Sequence, residues 1–257
     1  MTAVSFEADG AVGFVTIDNP PANSYDVSVM SEFATAVDEA LASATRVVLV
    51  HSANAKFFSA GADVKKFLEG EVETNMEMIR TSQAAFARMA AAPQVFIAHI
   101  AGHALGGGLE IALACDIRLA SAGDYKLGTP EVTLGLLPGN GGTQRLPRLV
   151  GTSRAMELLL TGRTFGVEEA RAMGLMADVL EGADGEDQAR AYAERLASGP
   201  ALAIAAIKRC VHEGGERSLS DGLALEAELV EQLFRSKDAS EGLHAFVEKR
   251  KPEFVGA

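Results

Sequence analysis

The sequence is poor in cysteine, with only Cys115 and Cys210 among its 257 residues. The two form neither a metal-binding pair nor a disulfide framework that could staple a fold. Both lie in apolar segments with helical spacing, which favours small buried thiols. The five histidines show no ligand spacing either, so we expect no metal site. A chain with free thiols fits a reducing compartment, and we expect this protein to work in the cytoplasm.

Basic residues are scarce relative to acidic ones. Lysines and arginines number 23 against 35 aspartates and glutamates, which gives a formal net charge of −12. A general nucleic-acid binder needs a basic stripe, so this charge argues against nucleic acid as a partner. It still permits a small ligand with a phosphate group, which Lys56, Lys65 or Lys66 could hold locally. No apolar run reaches the length of a membrane span, so we expect no association with a membrane.

The order of apolar segments predicts an α/β fold. Short continuous apolar runs are typical of strands buried on both faces, and longer segments with apolar residues at helical spacing are typical of amphipathic helices. The two kinds alternate along the first half of the chain, which favours parallel βαβ units. The predicted strands cover residues 12–18, 46–51, 95–100 and 116–120, and the predicted helices start near Asp26 and cover 74–91 and 109–115.

The C-terminal part of the chain is predicted to be mostly helical. A chain of this length, 48% hydrophobic, can form one sizeable core with an appendage. We place a core domain at residues 1–195 and a helical oligomerisation region at residues 196–257. An apolar face in this region comprises Leu223, Leu225, Leu229 and Leu233. Such helices must pack on their own core or on a neighbouring subunit, so we expect no stable monomer.

Three consecutive glycines, Gly106, Gly107 and Gly108, lie between a predicted buried strand and a predicted helix. A helix N-terminus exposes free N–H groups with partial positive charge, and glycine lets a ligand oxygen approach them. The run therefore indicates an oxyanion hole, a set of N–H donors for a negative oxygen. Its spacing fits neither a dinucleotide-binding fingerprint nor a P-loop. Residues 59–63 are a weaker donor candidate, in which Asp63 could cap a following helix.

Glu110 and Glu131 are the candidate proton-transfer groups. Glu110 precedes the apolar residues 111–114, and Glu131 lies in the largely apolar segment 130–136, so both carboxyls are predicted to be buried. Burial raises the pKa of a carboxyl, which suits groups that give and take protons near neutral pH. Two such groups facing one substrate can add water to a double bond or move the bond.

The segment at residues 138–147, PGNGGTQRLP, contains a turn signal at residues 140–142. By itself it predicts a loop that leads into a helix and carries no chemistry.

Together these segments resemble the crotonase family of enoyl-CoA hydratases and isomerases. The resemblance covers nearly the whole chain, including both donor loops and both glutamates. The matching segments are FSAGADVK (58–65), AGHALGGGLEIA (101–112), GTPEVTLG (128–135), PGNGGTQRL (138–146), AMELLLTG (155–162) and AFVEKRKP (245–252). The resemblance implies a crotonase-like spiral of ββα repeats with a helical C-terminal trimerisation region. It also implies a homotrimer or a dimer of trimers.

The resemblance implies an acyl-CoA thioester as the ligand, with coenzyme A as part of the substrate and no separate cofactor. The backbone N–H groups of Ala62 and Gly107 would hold the thioester oxygen. Glu110 would act as the base on water, and Glu131 would protonate the α-carbon. The further residues implied to bind the substrate or its coenzyme A arm are Ala60, Asp63, Val64, Lys65 and Gly106.

The presence of both glutamates favours an enoyl-CoA hydratase, which adds water syn to a trans-2-enoyl-CoA and gives a 3-hydroxyacyl-CoA in fatty acid β-oxidation. Isomerases of this family often keep only the second glutamate, so a Δ3-Δ2-enoyl-CoA isomerase using Glu131 alone is one alternative. A non-catalytic acyl-CoA-binding subunit is another. The chain departs from the family pattern at Thr129 and at residues 23–26, where Tyr25 could intrude on the coenzyme A or acyl site.

Overall fold

The computed structural model describes residues 2–257. The strands are β1 (Val4–Asp9), β2 (Val12–Ile17), β3 (Ser24–Tyr25), β4 (Val47–Ser52), β5 (Phe57–Ser59), β6 (Gly61–Ala62), β7 (Val95–Ile100), β8 (His103–Leu105), β9 (Ile117–Ser121), β10 (Leu127–Gly128) and β11 (Asp178–Leu180). The helices are α1 (Val27–Ala42), α2 (Val64–Glu69), α3 (Val72–Ala91), α4 (Gly107–Ala114), α5 (Gly142–Val150), α6 (Thr152–Thr161), α7 (Val167–Ala172), α8 (Gly185–Ala197), α9 (Ala201–Gly214), α10 (Leu219–Phe234) and α11 (Lys237–Glu248), with a 3₁₀ helix, η1 (Pro130–Leu134), before α5.

A six-stranded sheet forms the centre of the fold, in the order β1-β2-β4-β7-β9-β11. Strands β1 and β2 are antiparallel, and the remaining neighbours are parallel. Along β4, Val48 and Val50 face one hydrophobic cluster, which includes α1 and α3, while Val47 and Leu49 face another, which includes α8. Because successive side chains of a strand point to opposite faces, the apolar run at 47–50 fills both cores at once.

The chain repeats a unit of a long strand, a short strand and a helix. In successive units, β4, β7 and β9 join the large sheet, while β5, β8 and β10 form a second, three-stranded parallel sheet. A helix follows each short strand: α2 and α3, then α4, then η1 and α5. This arrangement confirms the predicted α/β fold with ββα repeats. It also gathers the turns after the short strands, which carry the predicted site residues, on one side of the molecule.

The predicted strands and helices match long elements of the fold, whereas the six-residue strand β1 and the short strands were not predicted. Helix α1 begins after Asp26, whose side chain accepts a hydrogen bond from the Val29 N–H at 3.1 Å, as the sequence indicates. His103–Leu105, between the predicted strand at 95–100 and the predicted helix at 109–115, form β8. A strand of two or three residues is too short to show alternation. The backbone of neighbouring segments defines it instead, as when the His103 N–H donates to the Lys56 carbonyl at 2.9 Å.

The C-terminal helices attach to the core through a buried ion cluster. The Lys208 ammonium on α9 lies 2.8 Å from the Asp116 carboxylate and donates to the carbonyls of Met89 and Gln94 at 2.6 Å each. Burial lowers the pKa of Lys208, and the Asp116 charge opposes that shift. Such a cation is retained in the interior only with partners, so α9 is fixed against the start of β9. The division of the chain at residue 195 stays a prediction.

Cys115 is buried and Cys210 half-buried, and both are free thiols. Burial raises the pKa of the Cys115 thiol to about 12.

Within residues 2–257, no helix has the length and apolar character needed to cross a membrane.

Candidate active site

A cavity of about 450 Å³ lies where the turns after the short strands meet α3. Of the predicted site residues, it is lined by Ala60, Ala62, Val64, Gly106, Gly107, Glu110 and Glu131. Two larger clefts, of about 620 and 920 Å³, contain none of the predicted residues and are lined largely by the C-terminal helices and α5. The smaller cavity is therefore the candidate site.

Asp63 and Lys65 do not line this cavity. The Asp63 side chain caps α2, since it accepts hydrogen bonds from the N–H groups of Lys65 at 2.9 Å and Lys66 at 3.4 Å. Lys65 is exposed on α2, one residue beyond Val64, which does line the cavity. Contact of Asp63 and Lys65 with a ligand stays a prediction.

The glycine run is required by one backbone conformation and by two close contacts. Gly106 has φ +54° and ψ −132°, a conformation that side chains disfavour, and it begins α4. A Cβ at Gly107 would overlap the Tyr25 hydroxyl, and one at Gly108 would overlap the Ser59 carbonyl. The run therefore lets α4 start in direct contact with its neighbours, which exceeds the needs of an ordinary turn.

The start of α4 supplies unused N–H donors. Within residues 2–257, the Gly107 and Gly108 N–H groups have no hydrogen-bond acceptor, as expected of the first turn of a helix. A Cβ at Gly61 would lie 3.0 Å from the Gly107 nitrogen, so β6 packs directly against this helix start. Two donor segments thus meet at one wall of the cavity.

Ala62 is the donor candidate on β6. Strand β6 pairs with β3, with Tyr25 opposite Ala62. The Asp63 N–H donates to the Tyr25 carbonyl at 2.8 Å. Because successive N–H groups of a strand point to opposite sides, the Ala62 N–H points away from β3. Ala62 and Gly107, the donor pair that the family resemblance implies, therefore both line the cavity, and the β3–β6 pairing uses the N–H group of neither.

Glu110 is 1% exposed, in the first turn of α4. One of its carboxyl oxygens, Oε1, accepts hydrogen bonds from the N–H groups of Asn140 at 2.8 Å and Gly142 at 2.6 Å. Burial raises the pKa of Glu110 to about 7, helped by the Glu131 charge, while the two N–H donors and Arg145 oppose the shift. The carboxyl is therefore poised to change its protonation state near neutral pH.

Glu131 lies on η1 and is half-buried. A Cβ at Gly106 would lie 2.9 Å from its Oε1, so the carboxyl reaches the start of α4. Its other oxygen, Oε2, is buried and has no hydrogen-bond partner within residues 2–257. Burial is the main cause of its raised pKa.

The apolar neighbours of Glu131 are not the reason for its burial. Val132 is 37% exposed, Leu134 54% and Leu136 53%, contrary to the buried setting expected from the sequence. The Glu131 carboxyl is instead covered by the glycine run, because its Oε1 packs against Gly106.

Three residues that hold the site together were not predicted to do so, although Tyr25 was expected to intrude on the coenzyme A or acyl site and does line the cavity. Asn140 and Gly142 anchor Glu110, although the sequence of their segment by itself predicts only a loop leading into a helix. The signal was present, because a glycine-rich turn before a helix is itself an anion-binding element. The third is Tyr25, whose hydroxyl accepts a hydrogen bond from the Asn140 side-chain N–H₂ at 2.8 Å.

The pKa of Glu110 predicts how stability changes with pH. An ordinary glutamate has a pKa near 4.5, whereas Glu110 in the folded chain has a pKa of about 7. Between these values the folded state binds more protons than the unfolded state, so stability falls as pH rises, by about 3 kcal/mol in total for this group. The Glu110→Gln variant does not show this fall in stability, because its amide does not ionise. Relative to wild type, the variant should therefore gain about 3 kcal/mol of unfolding free energy between pH 4.5 and pH 8.

Urea unfolding of wild type and variant at matched protein concentration measures this difference. Glu168→Gln, which changes an exposed glutamate near the start of α7, controls for the substitution itself. A Glu110→Gln difference that does not change with pH would show that the Glu110 carboxyl is ionised at its ordinary pKa.

The chain is similar in sequence and in structure to known proteins. Residues 7–257 match the family model "Enoyl-CoA hydratase/isomerase". The chain is 40% identical to a Bacillus subtilis protein named "Probable enoyl-CoA hydratase", over 100% of both sequences. A crystal structure of an enoyl-CoA hydratase from Geobacillus kaustophilus superposes with a TM-score of 0.96 at 38% identity, covering 100% of this chain and 98% of that one. One from Bacillus anthracis superposes with a TM-score of 0.94 at 36% identity, covering 99% and 100%. The chain therefore belongs to the enoyl-CoA hydratase/isomerase family.

Proposed function

We propose that this protein is an enoyl-CoA hydratase, which adds water syn across the double bond of a trans-2-enoyl-CoA and releases a 3-hydroxyacyl-CoA. The observation that carries the proposal is the presence of two carboxyls with raised pKa values, Glu110 and Glu131, in one cavity with the free N–H groups at the start of α4. The family relationship supports the same substrate class. We further propose a role in fatty acid β-oxidation in the cytoplasm.

The thioester oxygen binds to the N–H groups of Ala62 and Gly107. These donors withdraw electrons from the carbonyl, so that the conjugated β-carbon becomes electrophilic. After water attacks, negative charge moves onto the same oxygen, and the donors stabilise the resulting enolate. Each preorganised donor of this kind lowers a barrier by about 3 kcal/mol.

The two glutamates transfer the protons. Glu110 accepts a proton from the attacking water as the new carbon–oxygen bond forms at the β-carbon. Glu131 donates a proton to the α-carbon as the enolate collapses. Each turnover adds one water to the substrate. A proton then passes back from Glu110 to Glu131, which restores the starting protonation states of both carboxyls. A pKa of about 7 lets Glu110 act as a base at neutral pH and lose the proton again afterwards.

The rest of the cavity suits an acyl-CoA. Its apolar wall, formed by Phe67, Met76, Ile79, Leu134, Leu136 and Leu137, offers space for an acyl chain. We assign the coenzyme A arm to the side of Ala60, Val64 and Gly106, with Asp63 and Lys65 just beyond the cavity. The Lys65 ammonium is exposed there and can pair with a phosphate group. No separate cofactor takes part in these steps.

We also propose that the chain assembles as a homotrimer or as a dimer of trimers. The support is the large apolar side chains that the C-terminal helices expose. Phe234 is 72% exposed, Phe246 84% and Val247 79%. Apolar patches of this kind on a folded chain mark contact surfaces, because burying them against a partner is favourable.

Hydration should require both glutamates. Purified wild type should rapidly remove the conjugated enoyl-thioester absorbance of crotonyl-CoA. Glu110→Gln and Glu131→Gln should each lower kcat by about 10²- to 10⁴-fold, because each removes one proton-transfer group. Glu168→Gln, with its exposed side chain, should retain wild-type activity.

The variants also separate the alternatives. Conversion of a 3-enoyl-CoA that survives Glu110→Gln, without hydration by wild type, would identify an isomerase that uses Glu131 alone. Tight binding of crotonyl-CoA by wild type without any turnover would identify a non-catalytic acyl-CoA-binding subunit.

Sedimentation tests the proposed assembly. We expect a single species of three or six chains that persists on dilution, because the exposed apolar faces of α10 and α11 gain from burial. Phe246→Glu places a charge in the patch and should shift the protein towards smaller species. A folded, active monomer of the wild-type chain at dilute concentration would contradict the proposal.

A further inference from the structure

Tyr25 links the two donor segments of the site. Its backbone pairs with Ala62 in the β3–β6 ladder, and its carbonyl accepts the Asp63 N–H at 2.8 Å. Its hydroxyl occupies the space where a side chain at Gly107 would begin. The residue is 3% exposed and contributes to the wall of the cavity. A phenol thus lies beside the two backbone donors that the proposed mechanism uses.

The hydroxyl proton of Tyr25 is available. The hydroxyl oxygen accepts a hydrogen bond from the Asn140 side-chain N–H₂ at 2.8 Å, which leaves the O–H itself free to donate. Within residues 2–257, no oxygen or nitrogen accepts it. A buried donor without an acceptor is unfavourable unless a ligand or solvent satisfies it. The geometry therefore indicates that an acceptor on a bound ligand takes the hydrogen bond from the Tyr25 hydroxyl.

Tyr25 also remains protonated under working conditions. Burial raises its pKa well above 10, and the charges of Glu110 and Glu131 raise it further. A phenol of this kind donates a hydrogen bond and does not give up its proton. It is suited to stabilise negative charge on an oxygen, as an uncharged donor in a buried site.

Resting on the hydratase proposed above, we infer that the Tyr25 hydroxyl is a third donor of the oxyanion hole, which hydrogen-bonds to the thioester oxygen beside the Gly107 N–H as the enolate forms. The Asn140 amide fixes its orientation, and Asn140 also anchors Glu110 through its backbone N–H. One turn therefore positions both the base and the phenolic donor. No covalent step or proton transfer involves Tyr25.

The test uses acetoacetyl-CoA, whose acidic C–H lies between two carbonyls and whose enolate absorbs in the near ultraviolet. Bound in the site, its enolate places negative charge on the thioester oxygen. The pH at which half of the bound ligand is enolate reports how strongly the donors stabilise that charge. Tyr25→Phe keeps the ring and removes only the hydroxyl, so this midpoint should rise by about one to two pH units.

Hydration kinetics give a second measurement. Tyr25→Phe should lower kcat for crotonyl-CoA by about 10- to 100-fold with little change in KM, because the donor acts most strongly on the charged transition state. Tyr125→Phe is the matched control. Its hydroxyl is also buried, but its one O–H proton is taken up by the Ile100 and Ser121 carbonyls, which lie 2.7 and 2.6 Å from the hydroxyl oxygen, and the residue does not line the cavity. That control should leave the enolate midpoint unchanged.

The outcomes distinguish this inference from the function on which it rests. An equal enolate midpoint in wild type and Tyr25→Phe, with equal kcat, would overturn the inference alone and would mean that the hydroxyl donates to the Asn140 side-chain oxygen instead. Failure of wild type to bind acetoacetyl-CoA would overturn the proposed function and this inference with it. A raised midpoint with lowered kcat in Tyr25→Phe, absent from Tyr125→Phe, would establish the third donor.

Discussion

The buried Glu110 carboxyl is held by two backbone N–H groups, those of Asn140 and Gly142, at the start of α5. This interaction joins two repeats of the fold, because Glu110 belongs to α4 and its donors belong to the next unit. It leaves no room for a larger residue at Gly142, where a Cβ would lie 3.0 Å from the Glu110 Oε1. Arg145 supports the turn by donating to the Asn140 carbonyl at 2.8 Å. One helix start thus fixes a carboxyl, while another, that of α4, leaves the N–H groups of Gly107 and Gly108 without an acceptor within residues 2–257.

The same interaction sets the charge state of the carboxyl. Burial alone favours the protonated acid, and N–H donors alone favour the carboxylate. At Glu110 the two effects partly cancel, and the remaining shift gives a pKa of about 7. Glu131 has no such anchor, and its Oε2 is buried without a partner within residues 2–257. Glu110 accepts two backbone hydrogen bonds, whereas the Glu131 Oε2 accepts none within residues 2–257. This difference fits the proposed mechanism, in which Glu110 keeps its position and Glu131 adjusts to the substrate.

Much of this organisation could be predicted from the sequence. Long buried strands such as β4 and β7 have continuous apolar runs in the sequence. The start of α4 is also visible there, because three glycines come directly before an apolar segment. Glu110 and Glu131 were predicted as site residues because carboxyls in apolar segments are unusual, and the structure places both of them at one cavity. The family resemblance supplied the pairing of Ala62 with Gly107, which spacing alone does not show.

Other features depend on contacts distant in sequence. Strand β8 and the anchoring role of Asn140 exist only because segments far apart in the chain come together. The exposed side chains of Leu134 and Leu136 show the converse, since an apolar residue in the sequence need not be buried in the folded chain. The position of the Tyr25 hydroxyl against Gly107 likewise follows from the β3–β6 pairing, which two-residue strands do not reveal in advance.

The central claim is that one thioester binds with its oxygen on the α4 donors and its reacting carbons facing both carboxyls. A crystal structure of the wild-type protein with 3-hydroxybutyryl-CoA tests it most directly. The account predicts that the thioester oxygen lies within hydrogen-bond distance of the Ala62 and Gly107 nitrogens, and that the 3-hydroxyl contacts both Glu110 and Glu131. A ligand whose thioester lies away from the start of α4, or whose hydroxyl contacts neither glutamate, would contradict it.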